Sequence, residues 1–86
     1  MSKPWRNLGP ASRRMLNDAG IVTFAQLVHY GAVASYRLVK QHHPQASLNL
    51  LWALQGALDD QPWQQVAREQ RLSLLLQLES QEPPGE

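Results

Sequence analysis

The segment Ser47-Leu48-Asn49-Leu50-Leu51-Trp52-Ala53-Leu54-Gln55-Gly56-Ala57-Leu58 constrains this chain more than any other. Its spacing predicts a helix over 48–58 with Ser47 as N-cap. Leu48, Leu50, Leu51, Trp52, Ala53, Leu54, Ala57 and Leu58 then lie on nearly every face. A helix apolar all round is stable only when neighbours cover it on most sides. A chain of 86 residues has room for one such core, so this helix is read as the central one. Gly56 lets a neighbour approach closely, and Asp59-Asp60 ends the run, Asp60 capping a turn that contains Pro62 and Trp63.

The flanking sequence supplies the cover. Pro10 suits the first position of a helix, where its missing N–H costs nothing. That helix runs to about Ala19, turns Met15, Leu16 and Ala19 inward, and ends on Gly20 in a left-handed C-cap. Ile21 and Val22 plug the core from the turn. Thr23-Phe24-Ala25-Gln26 has the capping-box pattern. A short helix follows to Tyr30, burying Phe24, Leu27 and Val28, and Gly31 ends it. Ala32 to His42 forms the next helix, with Val33, Tyr36, Leu38 and Val39 for packing, stopped by Pro44. The last helix covers about 64–80, with a break near Ala67, and its apolar side is Val66, Leu72, Leu75, Leu76 and Leu78. No alternating strand pattern occurs. The expected fold is all-α, a compact bundle of about five short helices over residues 1–79. Residues 80–86 read as a disordered acidic tail.

Composition removes several functions. Apolar residues make up 43% and charged residues 17%, which is globular rather than disordered composition. The absence of cysteine excludes thiol catalysis and Cys-based zinc sites and suits a cytoplasmic protein. No apolar run spans a membrane, and the N-terminus lacks a signal-peptide pattern. His42 and His43 project about 100° apart on a helix, with no carboxylate near in sequence, so they read as a solvated helix end rather than metal ligands. Asp59-Asp60 reads as a cap rather than an acid–base pair. No serine has a nucleophile-elbow context, and no phosphate-binding loop follows a strand. The expectation is a non-enzymatic chain with no cofactor, no metal and no small-molecule substrate. Trp52 and Trp63 read as core; Trp5 is the exposed candidate for base stacking.

Net charge is only +1, but Lys3, Arg6, Arg13 and Arg14 all precede the first acid, Asp18. An anionic partner would meet this end. Here Asn7-Leu8-Gly9-Pro10 resembles the hairpin of helix-hairpin-helix DNA-binding domains, suggesting a helix-hairpin-helix or SAM-like N-terminal part. Backbone N–H groups at such a turn can bind a phosphate. Asn7 stands where that motif has its first glycine. The possible phosphate or DNA contacts are Lys3, Arg6, Gly9, Arg13 and Arg14.

The order of pieces is more specific still. Asn7-Leu8-Gly9-Pro10, Ala19-Gly20-Ile21, Gly31-Ala32-Val33 and Ser47-Leu48-Asn49-Leu50-Leu51-Trp52-Ala53-Leu54 together resemble the C-terminal domain of the TfoX (Sxy) family, over about Trp5 to Glu79. The resemblance implies a regulator of bacterial competence and DNA transformation acting on transcription. Full-length members carry a further N-terminal α/β domain, and the resemblance brings no catalytic residues. Two expectations follow. The first is a helical interaction module working mainly by protein contact, with a regulatory protein or a second copy as partner. Leu50, Leu54, Leu58, Leu74 and Leu78 are its expected surface. The alternative is weak, sequence-independent DNA binding through the Gly-Pro hairpin.

Overall fold

A computed structural model describes residues 5–80. Five helices follow one another: α1 (Pro10–Asp18), α2 (Phe24–His42), α3 (Leu48–Asp59), α4 (Trp63–Glu69) and α5 (Arg71–Ser80). Among the described residues there is no strand, so the fold is all-α. Lys3 and the tail beyond Ser80 lie outside the described residues.

Helix α3 holds the centre. It packs against α2 on one side and α4 on the other, while α1 rests on α2 and α5 bridges α2 and α4. Leu50, Leu51, Trp52, Ala53, Leu54, Gly56 and Ala57 are all buried. Ser47 takes the N-cap position with extended backbone, but its side chain makes no capping bond.

Local signals place the other ends. At the end of α1 the Ile21 N–H donates to the Leu16 carbonyl at 2.8 Å and the Gly20 N–H to that of Asn17 at 3.0 Å. With Gly20 at φ +90° this is a Schellman closure, and it drives Ile21 onto Leu16 in the core. Helix α2 starts on a full capping box. Thr23 Oγ1 accepts from the Gln26 N–H at 3.2 Å, and Gln26 Oε1 accepts from the Thr23 N–H at 3.0 Å. The two expected helices on either side of Gly31 run on as one element broken at that residue. Its φ of 82° and ψ of 169° belong to a region only glycine occupies readily. The final helix breaks at Gln70 rather than near Ala67, giving α4 and α5.

Four expected core positions face water. Val22 and Val28, and Leu72 and Leu76 on α5, are exposed. Ile21 alone fills the α1–α2 turn. On α2 Val28 is exposed, whereas Leu27, one position earlier, is fully buried. On α5 Leu74 is the residue that reaches the core.

Candidate functional site

The hairpin at the N-terminus is held by polar contacts across the length of the chain. Asn7 adopts a left-handed backbone, φ 70°, which asparagine tolerates better than most residues. This explains its presence where the helix-hairpin-helix motif has glycine. The side chain is committed inward: Asn7 Nδ2 donates to the Gln61 carbonyl at 2.7 Å, and Asn7 Oδ1 accepts from the Trp63 N–H at 3.3 Å. Pro62, the N-cap of α4, has no side chain to satisfy that N–H. Asn7 therefore caps α4 from 56 residues away. The amide lies on Gly56, where a Cβ would fall 2.5 Å from Asn7 Nδ2 and 2.6 Å from the Gln61 oxygen. Gly56 does admit a close neighbour, and that neighbour is the hairpin.

The arginines share in this arrangement. Arg6 pairs with Asp60 at 3.2 Å and also donates to its carbonyl at 3.4 Å. Asp60 is the left-handed C-cap of α3, so the pair latches the hairpin to the α3–α4 turn. Both side chains are exposed, and such a pair contributes about 0–1 kcal/mol. The Arg13 guanidinium lies 5.2 Å from the Trp5 ring centre, and the Trp5 ring meets Phe24 edge-on at 5.7 Å. Trp5 is thus half-buried, with an arginine over one face, rather than a free stacking platform. Pro10, Arg13, Arg14 and Asn17 share one face of α1 and line a shallow cleft of about 530 Å³ with Trp5 and Val22. Gly9 has ordinary extended backbone, φ −79°, with open space beside it, so the turn rests on Asn7 and not on Gly9. The α1 N-terminus has no side-chain cap and no acid in its first turn. Of the expected phosphate contacts, Arg13 and Arg14 are exposed on α1, while Arg6 is engaged with Asp60.

The expected leucine surface needs correction. Leu50, Leu54 and Leu74 are 5%, 0% and 2% exposed, and Leu58 and Leu78 pack partly against the core. Leu50 and Leu54 are consumed by folding because α3 is covered on both sides, and Leu74 is the residue that seats α5 on the core; Leu58 and Leu78 lie at its margin. The leucines that reach water are Leu72, 71% exposed, and Leu76, 54% exposed, one turn apart on α5. Their i, i+4 spacing matched an inward stripe as well as an outward one, so only the placement of α5 separates the two.

Two contacts were invisible in the sequence. His43 Nε2 lies 3.0 Å from Asp18 Oδ2, joining the ends of α1 and α2 although 25 residues separate them. His42 beside it is exposed. The Tyr36 hydroxyl donates to the Ala46 carbonyl at 3.1 Å and ties α2 to the entry of α3. Burial raises the Tyr36 pKa above its ordinary value of 10.0. Among the described residues no three His, Asp or Glu side chains converge as metal ligands would. No helix among them is long and apolar enough to cross a membrane.

No curated protein and no solved structure matches the chain. The TfoX C-terminal domain family matches residues 3–78, which takes in the hairpin, the Asn7 clamp and all five helices but the last two residues of α5. The chain belongs to the TfoX C-terminal domain family.

Proposed function

We propose that this chain is a non-enzymatic helical module of a competence-type transcription regulator, working in the cytoplasm and mainly through contact with protein. Membership of the TfoX C-terminal domain family over residues 3–78 carries the reading. Two features support protein contact over nucleic acid. The leucines at 72 and 76 stand out one turn apart on α5, an apolar face that suits a protein partner better than a phosphate backbone. The basic edge is meanwhile partly spent on the molecule itself, with Arg6 on Asp60 and Arg13 on Trp5.

A pull-down from the native cytoplasm, run with and without nuclease, tests this. Retention of bound protein after nuclease treatment is expected. Loss of all capture on digestion would move the reading to nucleic acid.

Weak DNA binding is the second reading, favoured by the uncapped α1 N-terminus and the exposed Arg13 and Arg14. Two phosphate contacts give a salt slope of about −2 and an affinity on the order of 10⁻⁴ to 10⁻⁶ M. Anisotropy with a labelled duplex measures both. A slope unchanged by Arg13→Ala with Arg14→Ala removes this reading.

A further inference from the structure

We infer that the cleft beside α1 seats an unpaired base of a single-stranded nucleic acid, with the adjoining phosphate on Arg13 and Arg14. The inference rests on the second reading above and narrows it from duplex DNA to an open strand. It leaves the protein contact on α5 untouched.

The cleft joins charge to apolar surface. Arg13 and Arg14 lie along its α1 wall, and no Asp or Glu lines it. Asp18, the nearest acid in sequence, is turned to His43. Among the described residues neither arginine forms an ion pair, so two positive charges stand at the cleft uncompensated. They fit an anion. A phosphate alone leaves the rest of the lining unused. Val22 stands 61% exposed there, and the half-buried Trp5 shares the lining. Asn17 adds an amide, with donor and acceptor together, as the edge of a base requires.

The volume of about 530 Å³ lies within the range of small-ligand sites. A base enters such a cleft only after leaving its stack. In a duplex the bases are paired behind the backbone, and phosphates alone would reach the arginines. In a single strand a base splays out and lies on apolar or guanidinium surface while its phosphate stays outside. Arg13 already lies over the Trp5 ring at 5.2 Å, and a guanidinium plane stacks on a base as it does on an indole. An acidic peptide would meet the arginines, but its carboxylates carry no flat ring for the apolar side of the lining.

NMR titration of the full chain at low salt tests the inference. The probes are a thymine DNA octamer, a uracil RNA octamer, the same DNA backbone without bases, a DNA hairpin duplex and a glutamate octapeptide. At least one base-bearing strand should bind fivefold or more tighter than the abasic strand, the low end of what stacking one base adds. It should also bind tighter than the duplex and the peptide. Whichever sugar is preferred carries the inference and names the strand. The Val22 signals should shift with that strand and not with the abasic one. Val22→Ser should weaken it at least threefold and leave abasic binding unchanged, with an unaltered circular dichroism spectrum because the side chain is exposed. Arg14→Ala should weaken all nucleic-acid probes alike and reduce the salt slope by about 1. Equal affinity for base-bearing and abasic strands would overturn the inference while leaving phosphate binding in place. A duplex or peptide bound as tightly as the open strand would overturn it too, as would Val22→Ser without effect. If no nucleic-acid probe binds at all, the second reading falls with it.

Discussion

Helices α3 and α5 are the two leucine-rich segments, and the fold uses them in opposite ways. In α3 the leucines at 50, 51 and 54 are almost fully buried between α2 and α4, and Leu58 is packed at the edge. In α5 Leu74 alone is fully committed, Leu75 and Leu78 pack at the margin, and Leu72 and Leu76 face water. The contrast comes from position and not composition. A helix with neighbours on two sides buries every face; a helix laid over the outside buries one stripe. What α3 buries on every face, α5 leaves exposed at Leu72 and Leu76.

The largest expected effect sharpens this contrast. Leu54→Ala should cost about 2–5 kcal/mol, because the side chain is wholly buried and leaves a cavity. Leu72→Ala should stay within about 0.5 kcal/mol of wild type. Urea denaturation measures both. Equal losses at the two positions would erase the distinction between core helix and outer helix.

Next come the glycine positions. Gly56→Ala should cost about 1–3 kcal/mol, since the new methyl meets the Gln61 backbone oxygen and the Asn7 amide. Asn7→Ala should cost a similar amount, about 1–3 kcal/mol, by stranding the Gln61 carbonyl and the Trp63 N–H. The double variant should cost less than the sum, because each substitution releases the same clamp. Strict additivity in a thermal-denaturation cycle would mean that hairpin and α3 are not coupled there. Gly31→Ala should cost about 1–3 kcal/mol from backbone strain alone, as open space surrounds the site.

The smallest effect depends on pH. The folded Tyr36 pKa is raised above its ordinary value by burial. The neutral hydroxyl is therefore favoured in the folded state. Its contribution is complete below about pH 10 and is lost as pH rises above that through the folded value. Tyr36→Phe should flatten the alkaline fall in stability, at a cost of about 1 kcal/mol near neutrality from the lost bond to Ala46. An alkaline fall as steep in the variant as in wild type would place its cause elsewhere.

Much of the fold was legible because the signals were local. Gly9-Pro10 opens α1, Gly20 closes it, Thr23 with Gln26 opens α2, and the apolar run 48–58 marks the central helix. Burial was legible only where one face clearly dominated. Val22, Val28, Leu72 and Leu76 carry inward-looking patterns but lie where no neighbour covers them. The clamp was the least legible feature. Asn7 and Trp63 are 56 residues apart, and a lone asparagine reads as a turn residue until the chain brings the α3–α4 turn beneath it. What could have found it is the combination of a glycine inside an otherwise leucine-rich helix with an asparagine at a position where glycine is usual.

The central claim is that contact runs through the outer face of α5 and not through the α1 edge. Amide chemical shifts of the full chain, followed by NMR on adding a protein retained in the nuclease-treated pull-down and then on adding duplex DNA, test it residue by residue. The account predicts partner-induced shifts gathered around Leu72 and Leu76, with α3 unmoved and only weak, salt-sensitive changes around Arg13 and Arg14 on adding DNA. Shifts absent from α5 on adding the captured protein, together with strong DNA-induced changes along Pro10 to Arg14, would contradict it.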